Sequence, residues 1–314
     1  MKVTNLTQCN LVVSRIAYGC MRLAGGWDRR RVGAVEIERG IGILELAVAC
    51  GYTLFDHADI YGDTACETIF GHAMAKHPEW RERLVVATKC GIRWADQPNP
   101  GVPYRYDFSY DHIKRSVEES LGRSQIEAID LLQLHRPDYL ADPVEIARAF
   151  TELRAEGKVK HFGVSNFRPS LVRALQQALP WPLAVNQVEI HLNRLDCLTD
   201  GTLDQCLELK MTPLAWSPLD RGRLATGYKP EENDPRAADR LRLLQALDTM
   251  GAELGCGRSE VALAWLLKHP SGIIPIIGSV TPDRIRDAVR ALEVPMSREN
   301  WYRILEAARG ERAA

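Results

Sequence analysis

Four titratable side chains stand at or just after the ends of short apolar runs in the first half of the sequence. Asp56 closes one run, and Tyr61 follows it by five residues. Lys89 comes directly after the next run, and His135 after the one that follows. Taken singly, a lysine at the end of a strand is usually a solvated charge, and a tyrosine is usually a half-buried packing residue. Because the four follow successive runs, we interpret them as one catalytic set.

Two further chemistries are compatible with residues of the same segments. Lys89 could form a Schiff base with a carbonyl substrate, as the lysine of an aldolase does. His57, Asp59 and Glu67 could ligate a metal, but their spacing matches no recognised ligand pattern. The eight cysteines form no CxxC pair and no metal-binding spacing. We therefore expect buried thiols in a reducing compartment, with no disulfide and no structural metal.

The alternation of apolar and helical patterns predicts the elements that position these side chains. Eight runs are predicted as strands: Ile16–Gly19, Thr53–Asp56, Leu84–Thr88, Asp130–Leu134, His161–Val164, Ala184–Gln187, Thr212–Trp216 and Ile273–Ile277. Most are continuously apolar, which is typical of parallel strands buried on both faces. Eight strands alternating with helices over about 270 residues match an α/β fold of the (β/α)8 TIM-barrel type. The competing doubly wound sheet normally carries a G-x-G-x-x-G turn, and the sequence contains none.

A barrel of this type brings the carboxyl ends of all its strands to one mouth, where active sites are built. The later strands add polar residues to the same mouth: Ser165, Asn166, Gln187, Ser217 and Ser279. Hydrogen-bonding groups at the ends of most strands are hard to explain by packing alone. We therefore predict that the active site lies at this mouth.

A hairpin and two long loops complete the expected architecture. The first eighteen residues precede the barrel and could form a hairpin that closes its bottom. The segments Gly91–Ser109 and Gly222–Arg236 are too long and polar to be simple connections, which is typical of functional lids over a substrate or cofactor. No linker, repeat or low-complexity tract interrupts the sequence, so we expect one domain over residues 1–314.

Charge and hydropathy exclude several classes of protein. The chain has 40 Lys and Arg against 41 Asp and Glu, a formal net charge of −1. Such a chain has no global field to hold nucleic acid or an anionic membrane. Its start lacks the apolar stretch of a signal peptide, and its longest apolar runs, such as Val261–Leu267, are far shorter than the roughly 20 residues of a membrane span. We expect a cytoplasmic protein that binds no nucleic acid and no membrane.

Four longer fragments occur in the order of one enzyme family. They are Gly51–Gly62, Lys158–Phe167, Val185–Glu189 and Ile277–Arg284. On these motifs the chain resembles the aldo/keto reductase superfamily over nearly its whole length. The variants of two motifs, at 57–61 and 134–138, resemble a bacterial subgroup of predicted oxidoreductases. The resemblance implies a barrel that binds a nicotinamide cofactor without a Rossmann fold, in agreement with the missing Gly-rich turn.

The resemblance also implies a role for each member of the catalytic set. Tyr61 would be the general acid that protonates the carbonyl oxygen while the nicotinamide delivers hydride. Lys89 would lower the pKa of this phenol from its ordinary value of about 10. Asp56 would keep Lys89 charged and oriented, and His135 would orient the carbonyl by donating a hydrogen bond.

For the nicotinamide end of the cofactor, the resemblance implies four contacts. Ser165, Asn166 and Gln187 would hold the carboxamide, and Trp216 would stack on the ring where relatives usually have a tyrosine. The other predicted cofactor contacts are Gly19, Met21, Asp56, Ser217, Pro218, Leu219, Gly222, Gly278, Ser279, Thr281, Arg284 and Asp287. The loop from Ser217 to Gly222 would cover the pyrophosphate.

For the adenosine end, the resemblance implies Ser279 and Arg284, with Arg284 opening a helix near a phosphate. We expect NADP(H) to be preferred, with NAD(H) possible. Many NADPH-dependent relatives carry a lysine at the position of Gly278 and an asparagine at that of Ala288, and both are replaced in this sequence. The two replacements weaken the inference without removing it.

The expected substrate is a small aldehyde or ketone, reduced to an alcohol. Trp27 and Trp94, together with Tyr61 and His135, should line an apolar, aromatic-walled pocket, to which Met21, the two long loops and the C-terminal segment near Trp301 contribute. An NAD-dependent sugar or alcohol dehydrogenase on the same scaffold is the closest alternative. A redox-sensing auxiliary subunit of a channel is a further one. The sequence leaves the physiological substrate and the oligomeric state open.

Overall fold

The computed structural model describes residues 1–231 and 233–312 and contains a closed barrel of eight parallel strands. The strands of the described chain are β1 Val3–Leu6, β2 Leu11–Ser14, β3 Ala17–Gly19, β4 Leu54–Asp56, β5 Val85–Cys90, β6 Ile92–Arg93, β7 Arg105–Tyr106, β8 Ile129–Leu134, β9 Val159–Ser165, β10 Val185–Glu189, β11 Thr212–Trp216 and β12 Ile274–Ile277. Around the ring the order is β3, β4, β5, β8, β9, β10, β11, β12, and β12 pairs with β3 to close it. The predicted (β/α)8 barrel is confirmed, and each predicted run overlaps one of its strands.

Helices surround the barrel. They are α1 Ala34–Ala49, α2 Ala65–Lys76, α3 Tyr110–Ser124, α4 Pro143–Ala155, α5 Pro169–Ala178, α6 Thr202–Glu208, α7 Ala237–Leu254, α8 Arg258–Leu267, α9 Pro282–Arg290 and α10 Arg298–Arg309. Their ends follow local chemistry: the Asp142 carboxylate accepts from the Val144 amide at 2.8 Å and so caps α4. Gly157 follows α4 at a φ of 72°, in the left-handed region that glycine tolerates. Within the described chain, no helix combines the length and the apolar character that crossing a membrane requires.

The bottom of the barrel is covered by the antiparallel hairpin β1–β2, as predicted. Leu6 and Val13 of the hairpin pack into one apolar cluster with the barrel residues Leu54, Leu131 and Leu214. The contact removes apolar surface of both the hairpin and the barrel from water, and this burial holds the hairpin on the barrel. The bottom is thereby closed, and the opposite end of the barrel is left for chemistry.

The two predicted lid segments differ in structure. Within Gly91–Ser109, strands β6 and β7 pair antiparallel, with Ile92 opposite Tyr106, so this segment is a short ribbon rather than an irregular loop. Gly222 ends a short 3-10 helix, and the described residues from there to Arg236 form turns and irregular backbone.

The structure corrects the expectation that the segment near Trp301 lines the substrate pocket. Trp301 lies on α10, and its ring stacks on that of Trp265 on α8, with centroids 4.8 Å apart and an interplanar angle of 6°. Each indole N–H donates to the other residue's backbone carbonyl, at 3.1 and 3.0 Å. The pair therefore joins two helices of the outer layer and does not face the mouth.

Candidate active site

Lys89 is the centre of a buried hydrogen-bonded group at the mouth of the barrel. Its ammonium donates to Asp56 Oδ2 at 2.8 Å, to the His57 carbonyl at 2.7 Å and to Tyr61 Oη at 3.1 Å. An ammonium has three N–H donors, so all of them are used. The side chain is fully buried, and its charge is stable there because the Asp56 carboxylate lies in contact with it.

The local fold brings these groups together from two neighbouring strands and one loop. Asp56 ends β4 and Lys89 lies near the end of β5, which pairs with β4 in parallel. Tyr61 lies in the loop between β4 and α2, and Gly62 follows it at a φ of 60°. A Cβ at Gly62 would approach the Ala24 Cβ to 2.7 Å. This position therefore needs glycine for both its conformation and its close packing.

Burial decides the protonation of Tyr61. Burial raises the pKa of the phenol, the Lys89 ammonium acts in the opposite direction, and the net pKa lies above its ordinary value. Lys89 acts on this pKa in the predicted direction, but burial raises the pKa by more than the lysine lowers it. The pKa of Lys89 is also raised: burial opposes its charge, but Asp56 and Tyr61 favour it and outweigh burial. At neutral pH the site holds a neutral phenol beside an ammonium.

His135 lies across the site from Tyr61 as a neutral imidazole. The two rings meet nearly edge to face, with centroids 5.8 Å apart and an interplanar angle of 79°. Burial, together with the charges of Lys89 and Arg136, holds the pKa of His135 well below its usual range. Its Nδ1 is buried and has no hydrogen-bond partner among the described residues. A neutral imidazole carries one N–H and can donate it to a substrate oxygen.

The four residues predicted for the nicotinamide end lie together at the ends of β9, β10 and β11. Ser165 Oγ donates to the Gln187 carbonyl at 2.9 Å, and Asn166 Nδ2 donates to Ser165 Oγ at 2.8 Å. The Trp216 indole N–H donates to Asn166 Oδ1 at 3.0 Å, which fixes the orientation of the ring. Asn166 has a φ of 60°, an uncommon conformation that concentrates at binding sites.

Gln187 connects this group to the catalytic carboxylate. Its Nε2 donates to Asp56 Oδ1 at 2.7 Å, and Gln133 Nε2 reaches the same oxygen at 3.5 Å. The sequence predicts Gln187 as a contact to the carboxamide of the cofactor, but it does not predict this hydrogen bond to Asp56. Asp56 therefore receives donors on both oxygens, because Lys89 binds the other.

The predicted pyrophosphate loop has an unusual backbone. Ser217, Asp220, Arg221 and Gly222 have φ values of 51°, 47°, 55° and 99°, while Pro218 and Leu219 lie between them. Successive residues in turns of this kind direct backbone N–H groups to one side and form concavities that bind anions. The loop is anchored by the buried Asp220, whose Oδ2 accepts from Asn193 Nδ2 at 2.8 Å.

At the predicted adenosine end, Arg284 is exposed in the first turn of α9 and makes no ion pair in the described part of the chain. Asp287, in contrast, lies 3.7 Å from Arg290. Ser279 Oγ accepts from the Thr281 amide at 3.1 Å. A cation at a helix N-terminus with its own amides exposed fits a phosphate.

Two predicted glycine contacts near this end differ in their steric need. A Cβ at Gly19 would meet Ile276 Cγ2 at 2.9 Å, whereas one at Gly278 would meet only the Gly19 carbonyl, at 3.5 Å. Gly19 is therefore required by packing, and Gly278 is not.

The predicted substrate residues Trp27 and Trp94 belong to a longer aromatic row. Their centroids lie 5.9 Å apart, Trp94 lies 5.9 Å from Tyr104, and Tyr104 lies 5.7 Å from Tyr106. Neither tyrosine could be singled out from the sequence, although both stand in a segment predicted as a lid. Met21, which was also predicted to line the pocket, is 42% exposed to solvent.

The alternative metal-binding residues are engaged otherwise or kept apart. Glu67 accepts from Thr88 Oγ1 at 2.6 Å and from Arg123 Nε at 2.8 Å. The His57 ring packs on Phe70, with centroids 4.6 Å apart. Over residues 1–231 and 233–312, no three His, Cys, Asp or Glu side chains are grouped as metal ligands would be. All eight cysteines have free thiols.

The polar groups at the mouth fit the nicotinamide cofactor that the sequence motifs imply. Amide and hydroxyl groups at the ends of β9 and β10 match a carboxamide, which needs both donors and acceptors. The left-handed loop after β11 and the cation at the start of α9 match the anionic part of a dinucleotide. The protein groups therefore change from neutral to cationic across the mouth, which complements the change along the cofactor from an uncharged carboxamide to anionic phosphates.

Comparisons with known proteins identify the family. A family model described as "Aldo/keto reductase family" matches residues 15–309. The chain is 40% identical over 303 residues to an uncharacterized oxidoreductase, YcsN, of Bacillus subtilis, with 96% of each chain covered. It is 40% identical over 311 residues to a 6-dehydroglucose reductase of Novosphingobium aromaticivorans, with 98% of this chain and 95% of that one covered. An aldo-keto reductase structure from Bacillus halodurans superposes with a TM-score of 0.82 at 25% identity and covers 100% of this chain and 98% of its own. The chain therefore belongs to the aldo/keto reductase family and is an oxidoreductase.

Proposed function

We propose that the protein uses NADPH to reduce the carbonyl of small aldehydes or ketones to alcohols. The observation that carries the proposal is the arrangement at Lys89, whose ammonium joins the Asp56 carboxylate at 2.8 Å to the Tyr61 hydroxyl at 3.1 Å. A buried phenol in contact with a buried cation is suited to giving up a proton to a reacting oxygen. The cofactor, when bound, supplies the hydride.

Tyr61 serves as the general acid. Its raised pKa keeps the proton on the phenol until a substrate oxygen begins to gain negative charge. Lys89 then stabilises the phenolate left behind, because its ammonium already contacts that oxygen. Asp56 keeps the ammonium charged and in place throughout.

His135 positions the carbonyl. As a neutral imidazole with one N–H, it donates a hydrogen bond to the same oxygen that Tyr61 protonates, and its edge-to-face contact with Tyr61 fixes the angle between the two donors. Two donors converging on one oxygen stabilise the developing negative charge.

The preference for NADPH rests on Arg284. Its guanidinium is a permanent planar cation suited to binding the 2′-phosphate of NADPH. NADH carries a 2′-hydroxyl at that position, which does not need a cation. Its exposure and the absence of an ion pair within the described residues leave it available.

A sugar aldehyde is the second candidate substrate. A relative with 40% identity over nearly the whole chain is named a 6-dehydroglucose reductase. The aromatic row beside the mouth, from Trp27 to Tyr106, favours it because aromatic faces and edges pack well against sugar rings.

The direct test measures oxidation of NADPH and NADH against a panel of aldehydes, ketones and sugars. We expect turnover of several aldehydes with NADPH. Whether kcat/KM is highest for a sugar aldehyde or for a simple aldehyde or ketone decides between the two candidate substrate classes. Incubation with substrate and borohydride tests the alternative in which Lys89 acts as an aldolase lysine. A covalent adduct at Lys89 would contradict the reductase, and no adduct is expected.

A further inference from the structure

Arg136 is a cation at the mouth that makes no ion pair with the described residues. It directly follows His135 after β8 and is half-buried. Its guanidinium carbon lies 5.2 Å from the centre of the Trp216 ring. In the described chain, no hydrogen bond or ion pair is made by its guanidinium, which carries five N–H donors.

Two carboxylates of the segments on either side of Phe108, which binds Asp138 through its backbone, are turned to other donors. Asp138, two residues after Arg136, accepts from the Phe108 amide at 3.0 Å and from the Leu140 amide at 2.9 Å. Asp107 accepts from Ser109 Oγ at 2.6 Å and lies 3.3 Å from Arg93. Arg93 is thus paired with a carboxylate, whereas among the described residues Arg136 is not. A half-buried guanidinium left without a carboxylate is unusual unless a ligand supplies one.

The guanidinium lies close enough to His135 and to Tyr104 for its charge to act on both. Its charge lowers the pKa of His135 and acts on that of the Tyr104 phenol. The contact with the Trp216 ring uses none of the hydrogen-bonding capacity of the guanidinium, so its in-plane N–H groups remain able to bind a carboxylate or phosphate bidentately.

We propose that Arg136 binds an anionic group of the substrate, a carboxylate or a phosphate, at the end of the molecule remote from its carbonyl. The proposal rests on the proposed reduction of carbonyls and narrows the substrate class to anionic aldehydes or ketones. The Trp216 ring, 5.2 Å from the guanidinium carbon, holds the cation in place at the mouth.

The experiment compares two pairs of aldehydes that differ in charge. The first pair is 4-carboxybenzaldehyde and 4-carbamoylbenzaldehyde, and the second is glyceraldehyde 3-phosphate and glyceraldehyde. For the wild type we expect kcat/KM to favour the anionic member of at least one pair by about 10- to 100-fold. The pair that shows the preference distinguishes a carboxylate from a phosphate.

The same ratios are measured for three variants, so that any general loss of activity cancels within a pair. In Arg136→Gln the ratio should fall towards one, and in Arg136→Lys part of it should remain. Arg173→Gln, an exposed arginine on α5, is the matched control and should keep the wild-type ratio. A wild-type ratio near one in both pairs overturns the proposal, as does a ratio that survives in Arg136→Gln. Loss of NADPH affinity with an unchanged ratio would assign Arg136 to the cofactor instead.

Binding of the product alcohols separates this proposal from the proposed function. Calorimetry with 4-(hydroxymethyl)benzoate and 4-(hydroxymethyl)benzamide, in the presence of NADP⁺, measures the charge preference without turnover. If none of the four aldehydes is reduced, the proposed function fails. The role of Arg136 is then still decided by whether the benzoate binds more tightly than the benzamide in the wild type and not in Arg136→Gln.

Discussion

At the scale of single residues, the stability of the buried Lys89 ammonium depends on the groups that it contacts. A buried ammonium is stable only while its partners remain, and removing one partner of a buried ion pair typically costs about 3–5 kcal/mol. Replacing Asp56 or Lys89 therefore threatens the fold as well as the chemistry. Tyr61 is the better probe, because its hydroxyl can be removed while the ring keeps its packing. Lys89 then still has Asp56 and the His57 carbonyl as acceptors.

Tyr61→Phe should lower kcat for carbonyl reduction by about 10²–10⁴-fold, the usual contribution of a general acid. The dissociation constant for NADPH, measured by fluorescence quenching, should stay close to that of the wild type because the ring remains. Tyr139→Phe, at a tyrosine that is 91% exposed, is the matched control. Turnover above about a tenth of the wild-type value would show that Tyr61 is not the acid.

Asp59 gives a pH dependence of stability. Burial is the main cause that raises the pKa of this carboxyl to about 8, with a further contribution from nearby Glu67, while Arg123 and Ser116 oppose the rise. The unfolded chain titrates near the ordinary value of 3.8, so between these values the folded state holds the extra proton. Stability therefore falls as pH rises towards about 8, by at most about 1.4 kcal/mol per pH unit.

Asp59→Asn should remove this dependence, since an amide does not titrate. Urea unfolding of the wild type and the variant at several pH values measures the effect, and the variant should gain on the wild type as the pH rises from 5 to 8. Asp111→Asn, at an exposed position in the first turn of α3, is the control. Parallel pH profiles for wild type and Asp59→Asn would contradict the prediction.

The convergence of Asp56, Lys89 and Tyr61 could be predicted from the sequence because the end of each buried strand is visible as the end of an apolar run. The net direction of the Tyr61 pKa could not. It depends on how deeply the phenol is buried once the loop has closed over it, and a sequence shows the lysine but not the burial.

At the scale of elements, hydrophobic patterns predict buried strands better than short ribbons. The strands of the barrel are buried on both faces and appear as continuous apolar runs. Strands β6 and β7 have two residues each, too short to show a period of two. Helix faces are predicted well in their middle turns and less well at their starts. Val144, at the start of α4, is spaced from Ala147 as the residues of an apolar face are, but it is 70% exposed, whereas Ala147 is buried.

Gly62→Ala tests the loop that carries Tyr61. The φ of 60° and the approach of the new Cβ to within 2.7 Å of Ala24 should strain the loop, lower the unfolding free energy by about 1 kcal/mol or more and reduce kcat by displacing the phenol. Gly42→Ala is the matched control. Gly42 lies in α1 with open space where its Cβ would stand, and the change should stabilise the helix by up to about 1 kcal/mol. A Gly62→Ala enzyme with wild-type activity would show that the loop tolerates the displacement.

At the scale of the whole molecule, the barrel brings residues that are far apart in the sequence to one mouth, where their side chains change from neutral to cationic. The hydrogen bond from Gln187 to Asp56 crosses 131 residues of chain, and closure of β12 on β3 brings the start of α9 to the same mouth. The order of groups around the mouth follows from strand order, so the sequence could predict it. Which cations stay unpaired could not be predicted, because Arg93 and Arg136 look alike until their neighbours are placed.

Preference for NADPH should be visible in the stability of the whole chain. A ligand that binds only the folded state stabilises it according to its concentration and dissociation constant. If Arg284 favours NADPH by about ten- to a hundredfold, equal saturating concentrations of the two reduced cofactors should differ by about 1.4–2.8 kcal/mol in stabilisation. That difference corresponds to several degrees in Tm.

Thermal unfolding with each cofactor measures the difference, and Arg284→Ala should abolish it while leaving stabilisation by NADH. Arg290→Ala, at the far end of α9 with a side chain 61% exposed, should keep the wild-type difference. Equal shifts for both cofactors in the wild type, or a difference that survives in Arg284→Ala, would show that Arg284 does not recognise the 2′-phosphate.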